Sequence, residues 1–333
     1  MTKKIVITGG AGFIGHNMAL ELKKHNYEVF IVDSLQVNNI ANLTLNFENL
    51  PFPKLSEKIL KNRISLLENE DIPLIIQDLR DYGNTSRILE KISPDIIIHL
   101  AAVSHANRSN KDPHNTFDHS LRTLENVLDY SKTRVSHFIY FSSSMVYGNF
   151  NNSEVNEDTN CLPLGIYGAL KLSGELLLKS YNQVFDLPFT IIRPSALYGQ
   201  RCISRRVGQI FIENAINKKP ITIYGSGDEK LDFTYIKDLV NGIKLVIENK
   251  NSLNNTFNLT YGSGRKIKDL IEILKNSFPN LSVNYEEKSK LVPDRGTLSI
   301  EKAKNLLSYN PSFPIEIGFK EYISWYLDFQ NKH

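Results

Sequence analysis

The sequence predicts a doubly wound α/β fold with a parallel central sheet, followed by a smaller C-terminal α+β lobe. Short apolar runs alternate with amphipathic stretches such as Phe13–His25, and this alternation fades after about Gly199. Near-continuous apolar runs are typical of strands buried on both faces of a parallel sheet, and helices between them supply the crossovers. The predicted strands of this sheet are Lys4–Thr8, Glu28–Val32, Leu74–Gln77, Asp95–Leu100, His137–Phe141 and Phe189–Arg193.

The second half of the chain mixes short strand patterns with longer helical ones, which predicts the smaller lobe. The strand patterns there are Ile221–Tyr224, Phe257–Leu259 and Val283–Tyr285, and the helical ones are Val207–Asn217, Ile236–Glu248, Ile267–Ser277 and Ile315–Phe329. We expect a first domain over residues 1–198, joined by a return segment near 231–260. Residues 199–333 would mainly form a lobe that closes a cleft over the carboxyl edge of the sheet.

The connection from about Asn38 to Asp71 is unusually long for this fold. Pro51-Phe52-Pro53 interrupts it, and a mixed helical pattern follows near Leu55–Leu67. Loops of this length are uncommon in compact domains unless they are functional. From the sequence, both a lid-like loop and a plain surface insertion remain open.

Composition excludes several classes of function. The net charge of +3 over 333 residues, with no dominant basic block, gives no reason to expect nucleic acid or an anionic membrane as partner. Cys161 and Cys202 match no metal or redox spacing, which favours free thiols in a reducing compartment. The first residues lack a signal-peptide pattern, and no apolar run approaches the ~20 residues of a membrane span. We expect a soluble cytoplasmic protein.

Three glycines lie between the first predicted strand and the first predicted helix. Gly9, Gly12 and Gly15 form a G-x-x-G-x-x-G pattern that encloses Phe13 and Ile14. Glycines at such a junction permit a tight turn and let backbone N–H groups approach a pyrophosphate at the helix N-terminus. The pattern predicts a Rossmann-type dinucleotide site; a purely structural glycine turn is the alternative.

Acidic residues follow the next two strands. A carboxylate at Asp33, which ends the second strand, would accept hydrogen bonds from ribose hydroxyls and repel a 2′-phosphate, which favours NAD over NADP. A solvent-facing turn aspartate is the alternative. Asp78 and Leu79, after the third strand, are candidates to contact the edge of the adenine.

Tyr167 and Lys171 are spaced to share one helix face, in the sequence YGALK. A nearby ammonium would favour the phenolate and lower the tyrosine pKa towards the range of a general base. Ser142-Ser143-Ser144 ends the preceding buried strand, where its hydroxyls would face the same cleft. A surface Tyr/Lys pair is the alternative, but the serine run, its position about 24 residues before Tyr167 and the dinucleotide loop near the N-terminus together favour catalysis.

In combination, these motifs resemble the extended short-chain dehydrogenase/reductases of the nucleotide-sugar epimerase/dehydratase family, and UDP-glucose and UDP-glucuronate 4-epimerases in particular. The matching segments occur in family order from about Lys4 to Asp238. They are ITGGAGFIG, the HLAA of His99–Ala102, FSSSMVYG, YGALK, RPSALYG and YGSGDEKLDFTYIKD.

The resemblance implies specific roles for these residues. Tyr167 would take the proton of a sugar 4-hydroxyl while C4 passes a hydride to NAD, and Ser143 would hydrogen-bond the same oxygen. Lys171 would lower the tyrosine pKa and bind the nicotinamide ribose. Residues 1–198 would form the NAD-binding domain, and its cofactor contacts would include Leu100, Ala101 and Ala102. The resemblance also implies a homodimer.

The residues after Ser143 bear on which reaction is expected. The family's 4,6-dehydratases carry an Asp-Glu pair there, and its UDP-glucuronate decarboxylases a Glu at the second position, whereas this chain has Ser144 and Met145. A thioether is neither acid nor base, which favours an epimerase. In contrast, AAVSHANRS resembles a stretch common in dehydratases, within which Ser104 and His105 are candidate loop or substrate contacts.

Other positions depart from the family pattern. Ser195 and Ala196 replace the usual Phe-Asn, and Leu231 stands where an arginine commonly binds phosphate. The candidates to supply positive charge instead are Arg201, Arg205, Arg206 and Arg295. If one of them formed a bidentate pair with a sugar carboxylate, a uronic acid substrate would be attractive.

The interpretation that these observations favour is a C4 epimerase of nucleotide-diphosphate sugars, with UDP-sugars favoured, tightly held NAD and a place in polysaccharide biosynthesis. A 4,6-dehydratase or a C4 dehydrogenase is the alternative within enzymes. A catalytically dead NAD-binding regulatory protein is the alternative outside them, and the intact set of Ser143, Tyr167 and Lys171 argues against it.

Overall fold

The computed structural model describes residues 2–37, 39–46, 51–104, 106–150 and 154–332. Its strands are β1 (Lys4–Thr8), β2 (Glu28–Asp33), β3 (Leu74–Ile76), β4 (Ile96–His99), β5 (His137–Phe141), β6 (Glu154–Val155), β7 (Phe189–Arg193), β8 (Leu197–Tyr198), β9 (Ile221–Tyr224), β10 (Lys230–Asp232), β11 (Thr234–Tyr235), β12 (Asn255–Asn258), β13 (Gly264–Lys266), β14 (Val283–Glu286) and β15 (Thr297–Leu298). Its α-helices are α1 (Phe13–Lys24), α2 (Ile40–Asn46), α3 (Pro53–Asn69), α4 (Tyr82–Ile92), α5 (Ala106–Lys111), α6 (Pro113–Phe117), α7 (Thr123–Ser131), α8 (Gly165–Phe185), α9 (Val207–Ile216), α10 (Ile236–Glu248), α11 (Ile267–Lys275), α12 (Glu301–Leu307) and α13 (Ile315–Lys332).

Seven parallel strands form the central sheet, in the order β12-β7-β5-β4-β1-β2-β3. Val6 in β1 lies between Phe30 of β2 and Ile97 of β4. The direction in which the chain adds strands reverses between β1 and β4, and open α/β sheets bind ligands outside the carboxyl ends of the strands at such a point. The predicted Rossmann-type fold class is confirmed.

Both faces of the sheet are covered, which explains the near-continuous apolar runs. Successive side chains of a strand point to opposite faces: Ile5 and Ile7 belong to one buried cluster and Val6 to the other. The first cluster continues into the later elements, where it includes Tyr235 and Phe319. The C-terminal elements therefore share a core with one face of the sheet.

The remaining strands divide between the edge of the central sheet and a set of small strand pairs. β12 returns to pair with β7 at the edge of the central sheet, with Phe257 beside Ile192. The other strands form two-stranded units: β9 with β14, β8 with β11 and β6 with β15 in parallel, and β10 with β13 antiparallel.

Helix α3 lies within the long connection after β2. Pro53 is its first residue. The N–H of a first helical residue has no partner within the helix, so its absence in proline costs no hydrogen bond. Ile59, Leu60 and Leu67 are buried, and the helix packs against α1 and α2. This stretch is therefore an integral layer of the fold, although residues 38 and 47–50 of the connection lie outside the described ranges. Across those ranges, no helix combines the length and apolar character that a bilayer span requires.

Candidate active site

A cavity of about 990 Å³ lies between the glycine junction, the serines after β5 and the later elements of the chain. Every predicted site residue that the structure describes, except Arg201, contributes to its lining. These are Gly9, Gly12, Phe13, Ile14, Gly15, Asp33, Asp78, Leu79, Leu100, Ala101, Ala102, Ser104, Ser143, Ser144, Tyr167, Lys171, Arg205, Arg206 and Arg295. His105, the remaining predicted contact, lies outside the described residues.

Glycine is needed in the first loop for a different physical reason at each position. Gly9 has φ +70°, and a Cβ there would lie 2.7 Å from the Ala101 nitrogen. A Cβ on Gly15 would lie 2.4 Å from the Cα of Gly10, so loop and helix can pack this closely only without it. At Gly12 the nearest atom is the Gly9 oxygen at 3.1 Å. The loop is thus packed most tightly at Gly9 and Gly15 and less tightly at Gly12.

Asp33 lies at the end of β2, where its side chain is held by the backbone. Oδ2 accepts a hydrogen bond from the Ala11 N–H at 3.0 Å, and Oδ1 accepts one from the Leu35 N–H at 2.7 Å. Burial raises the pKa of Asp33 above its ordinary value, and the backbone hydrogen bonds oppose that shift. Each oxygen keeps a further lone pair for a ligand hydroxyl.

The Asp78 carboxylate forms an ion pair with Arg80. Arg80 donates to its carboxylate from Nε at 3.0 Å and from Nη2 at 2.6 Å, and this bond lowers the pKa of Asp78. The aspartate lines the cavity as an ionised group.

These features fit a bound dinucleotide. α1 begins at Phe13, directly after Gly12, and the N–H groups of a helix's first turn have no partner within the helix, so they can bind a pyrophosphate. Asp33 stands one strand away, where an adenine ribose would follow the pyrophosphate. Gly9, Gly12, Phe13, Gly15 and Asp33 would hold the group.

Helix α8 carries Tyr167 and Lys171 one turn apart. A Cβ on Gly168 would lie 2.7 Å from the Met145 oxygen, so the helix can approach the turn after β5 only because this residue is glycine. Lys171 donates from Nζ to the Phe141 oxygen at 2.7 Å. Burial lowers the pKa of Lys171 to about 8, while Glu175 opposes the shift.

Two arginines and a serine act on the Tyr167 phenol. Burial raises its pKa above the ordinary value, whereas the charges of Arg206 and Arg295 and a hydrogen bond with Ser143 lower it. Burial is the larger effect, so the phenol is protonated at neutral pH without a cofactor or substrate. The arginines are therefore a source of positive charge at the phenol that the sequence pair Tyr167/Lys171 did not predict.

Arg295 and Arg206 lie close enough to repel each other. Arg295 donates from Nη1 to the Ser144 Oγ at 2.8 Å, and its Nη1 lies 3.6 Å from the Met145 Sδ. Burial, together with the charge of Arg206, lowers the pKa of Arg295 to about 10. The Arg206 Nε is buried and has no hydrogen-bond partner within the described ranges. Such a pair of cations favours an anionic ligand between them.

Two of the four arginines singled out from the sequence have other partners. Arg205 donates to Glu213 Oε2 at 2.5 Å on the cavity rim. The prediction that Arg201 supplies charge to the substrate is wrong. Its Nε donates to His16 Nε2 at 2.9 Å and its Nη2 to Asn17 Oδ1 at 3.0 Å, so α1 side chains hold it behind the glycine loop.

A buried ion pair behind the site was not anticipated. Arg193 donates to Glu175 from Nε at 3.0 Å and from Nη2 at 2.7 Å, and Ser142 donates to the same carboxylate. Glu175 is fully buried and follows Lys171 by four residues, on the same helix face. This i,i+4 spacing was the available signal; the distant partner Arg193 was not predictable from it.

Comparison with known proteins agrees with this geometry. Residues 5–260 match the model of the NAD dependent epimerase/dehydratase family. The chain is 29% identical to the uncharacterized UDP-glucose epimerase YtcB of Bacillus subtilis over 97% of each chain. It is 31% identical to the dTDP-D-glucose 4,6-dehydratase of Dictyostelium discoideum over 77% of this chain and 58% of that one.

Solved structures are similar along nearly the whole chain. The UDP-glucuronic acid 4-epimerase of Bacillus cereus, in complex with UDP-glucuronic acid and NAD, superimposes with a TM-score of 0.87 at 28% identity, covering 99% of this chain and 100% of that one. The UDP-glucose 4-epimerase of Thermotoga maritima has a TM-score of 0.82 at 26% identity over 98% and 100%. The predicted resemblance and the predicted cofactor NAD are confirmed. The chain thus belongs to the NAD dependent epimerase/dehydratase family.

Proposed function

We propose that this protein catalyses epimerisation at C4 of a nucleotide-diphosphate sugar, preferably a UDP-sugar, through a transient 4-keto sugar. The observation that carries the proposal is the cluster of Ser143, Tyr167 and Lys171 at a cavity that also contains the dinucleotide loop. The similarity to the UDP-glucuronic acid and UDP-glucose 4-epimerases supports the choice of substrate.

The roles of the chain's own residues follow from their positions. Tyr167 takes the proton of the 4-hydroxyl, and Ser143 hydrogen-bonds the same oxygen. NAD, held by the glycine loop and Asp33, would supply the acceptor and then the donor of the C4 hydride. Tyr167 would return the proton to O4 when hydride is delivered to the opposite face of C4. Protons and electrons balance within the cycle, so no external oxidant is needed.

Positive charge makes Tyr167 a competent base. Burial raises its pKa, and a base must lose its proton near the working pH. The charges of Arg206 and Arg295, and of Lys171 within the same cavity, favour the phenolate. Lys171 would also hold the nicotinamide ribose, as the resemblance implies.

The turn after Ser143 disfavours elimination of water. Ser144 is hydrogen-bonded to Arg295, and Met145 packs its sulfur against the same guanidinium. Neither group can deliver and remove the protons that elimination across C5 and C6 requires. The proposed reaction therefore proceeds no further than the 4-keto sugar, which is then reduced again at C4.

The arginine pair favours an acidic sugar. A carboxylate on C5 would neutralise the mutual repulsion of Arg206 and Arg295 and satisfy the buried Nε of Arg206. We propose a uronic acid as the sugar, with turnover of UDP-glucuronate exceeding that of UDP-glucose.

The test is incubation of the purified protein with a panel of UDP-, GDP-, dTDP- and CDP-sugars without added cofactor, followed by NMR of the products. Interconversion of 4-epimers is expected, fastest with UDP-glucuronate. Accumulation of a free 4-keto sugar would replace the epimerase proposal with a C4 dehydrogenase.

A 4,6-dehydratase is the second candidate function, since the Dictyostelium discoideum relative carries that name and AAVSHANRS resembles the dehydratase stretch. The same product analysis separates the two functions, because only a dehydratase releases a 4-keto-6-deoxy sugar.

We also propose a cytoplasmic homodimer that serves polysaccharide biosynthesis. Helix α8 presents exposed apolar side chains along one face, at Ile166, Leu176 and Val184, where a second copy could pack. Light scattering should give twice the chain mass of 38.0 kDa. The double variant Leu176→Glu, Val184→Glu should give the mass of one chain. If this variant remains a dimer, the face of α8 is not the dimer interface.

A further inference from the structure

Beneath the glycine loop, on the side away from the cavity, lies a group of buried cations that the proposed reaction does not use. Arg63 of α3 is 1% exposed. Its Nε donates to the Arg201 oxygen at 3.0 Å and its Nη1 to the Ala11 oxygen at 3.5 Å. Arg201 in turn donates to His16 and Asn17 of α1. Two guanidinium groups therefore converge on the underside of the loop.

These cations bond to neutral acceptors. Their partners within the described ranges are carbonyl oxygens, an imidazole nitrogen and an amide oxygen. Asp33 is the carboxylate whose charge acts on Arg63, but its two oxygens accept hydrogen bonds from the loop backbone. A buried charge without an ion-pair partner is costly unless a counter-charge arrives.

The same group also orients the loop. His16 donates from Nδ1 to the Gly12 oxygen at 2.8 Å, while its Nε2 accepts from Arg201. Because a trans peptide directs its N–H opposite to its C=O, the Phe13 N–H points away from the His16 ring that holds the Gly12 oxygen. Arg63 and Asn39 hold the Ala11 oxygen in the same way.

We propose that Arg63, supported by Arg201, is a positioning residue for the dinucleotide: it holds the carbonyl side of the glycine loop and places positive charge behind the pyrophosphate site. The long connection after β2 then has a function, because α3 brings this charge to the loop. The inference concerns the cofactor of the family and is independent of the sugar.

The test compares three variants on two helix faces. Arg63→Met removes the charge and hydrogen bonds at similar volume, and Arg63→Lys keeps the charge. Lys61→Met removes an exposed charge from the same helix and is the matched control. The readouts are the NAD retained by purified protein and the calorimetric dissociation constants for NAD, ADP-ribose and adenosine after bound dinucleotide is removed.

For Arg63→Met, the dissociation constants for NAD and ADP-ribose should rise about tenfold or more, because both ligands carry a pyrophosphate. Adenosine, which carries none, should bind as it does to the wild type. Arg63→Lys should recover most of the affinity, and Lys61→Met should behave as wild type.

Two results would overturn the proposal: a folded Arg63→Met protein with unchanged NAD affinity, or equal losses for NAD and adenosine. If circular dichroism shows that Arg63→Met does not fold, Arg201→Met makes the same test, and unchanged NAD affinity there overturns the proposal. A failure of the proposed epimerase function would leave these binding constants untouched, so the two proposals fail separately.

Discussion

The two ends of the cavity are built to bind by different means. At the dinucleotide end the groups that face the ligand are mainly backbone N–H groups, and Asp33 and Arg63 are already held by hydrogen bonds. At the sugar end they are side chains, and Arg206 and Arg295 lack a carboxylate partner among the described residues. The hydrogen bonds of the first end are made before its ligand arrives, whereas the second end leaves the buried Nε of Arg206 without a hydrogen-bond partner among the described residues.

This difference explains how cofactor binding can be common to a family while substrate binding is specific to each member. Backbone groups keep their positions as long as the fold is kept, so they suit a cofactor shared by a whole family. A side chain changes with one substitution, so the sugar end can change its substrate while the glycine loop stays the same.

The largest effect is expected at the sugar end. Tyr167→Phe removes the proton acceptor and should lower turnover by about a thousandfold, the range of general acid–base catalysis. Product formation is followed by NMR, and the retained NAD by absorbance after denaturation. NAD should stay bound, because Tyr167 belongs to the other end. Turnover within tenfold of wild type would disprove its role as the base.

Arg206→Met should lower turnover at pH 7 by roughly ten- to a hundredfold. Arg206 lowers the pKa of Tyr167, so its loss raises that pKa further. The phenolate is the active form and is populated above the pKa, so the rate profile should move to higher pH. The control is Lys304→Met, which removes an exposed charge on α12. A lower rate with an unshifted pH profile would show that Arg206 acts on substrate binding alone.

Two glycine variants test the claim that the dinucleotide end is built from backbone. Gly12→Ala places a Cβ 3.1 Å from the Gly9 oxygen, which a small shift of the loop relieves, and should weaken NAD binding about tenfold with a smaller loss of stability than Gly15→Ala. Gly15→Ala forces Cβ into Gly10 and should destabilise the fold by about 2 kcal/mol. Calorimetry and urea unfolding measure the two effects. Equal losses of stability would mean that Gly12 is as closely packed as Gly15.

The smallest effect is expected for Asp33→Asn, which keeps an acceptor but loses the charge. NAD affinity should fall about fivefold, and the preference over NADP should shrink. Because burial raises the pKa of Asp33, wild-type affinity should decline as the pH falls towards that pKa. The variant should lack this decline; a variant that retains it would assign the titration to another group.

Much of the site was predictable because its signals are local. The glycine spacing, the strand before it and the i,i+4 pair of Tyr167 and Lys171 are properties of neighbouring residues. The opposite case is Arg201, whose neighbours in sequence favoured a substrate contact. Its actual partners on α1 are 184 and 185 residues away, at a distance that no local pattern reports.

The sequence alone determined the fold class and the cofactor and singled out the proposed catalytic set, because periodicity and spacing indicate which strands are buried and which side chains share a helix face. Only the tertiary structure decided where the charges act. It placed Arg206 and Arg295 beside Tyr167, and Arg63 beneath the loop against the Arg201 oxygen, 138 residues away in the chain. Electrostatic interactions depend on separation in space and on burial, and both arise only when distant segments pack together.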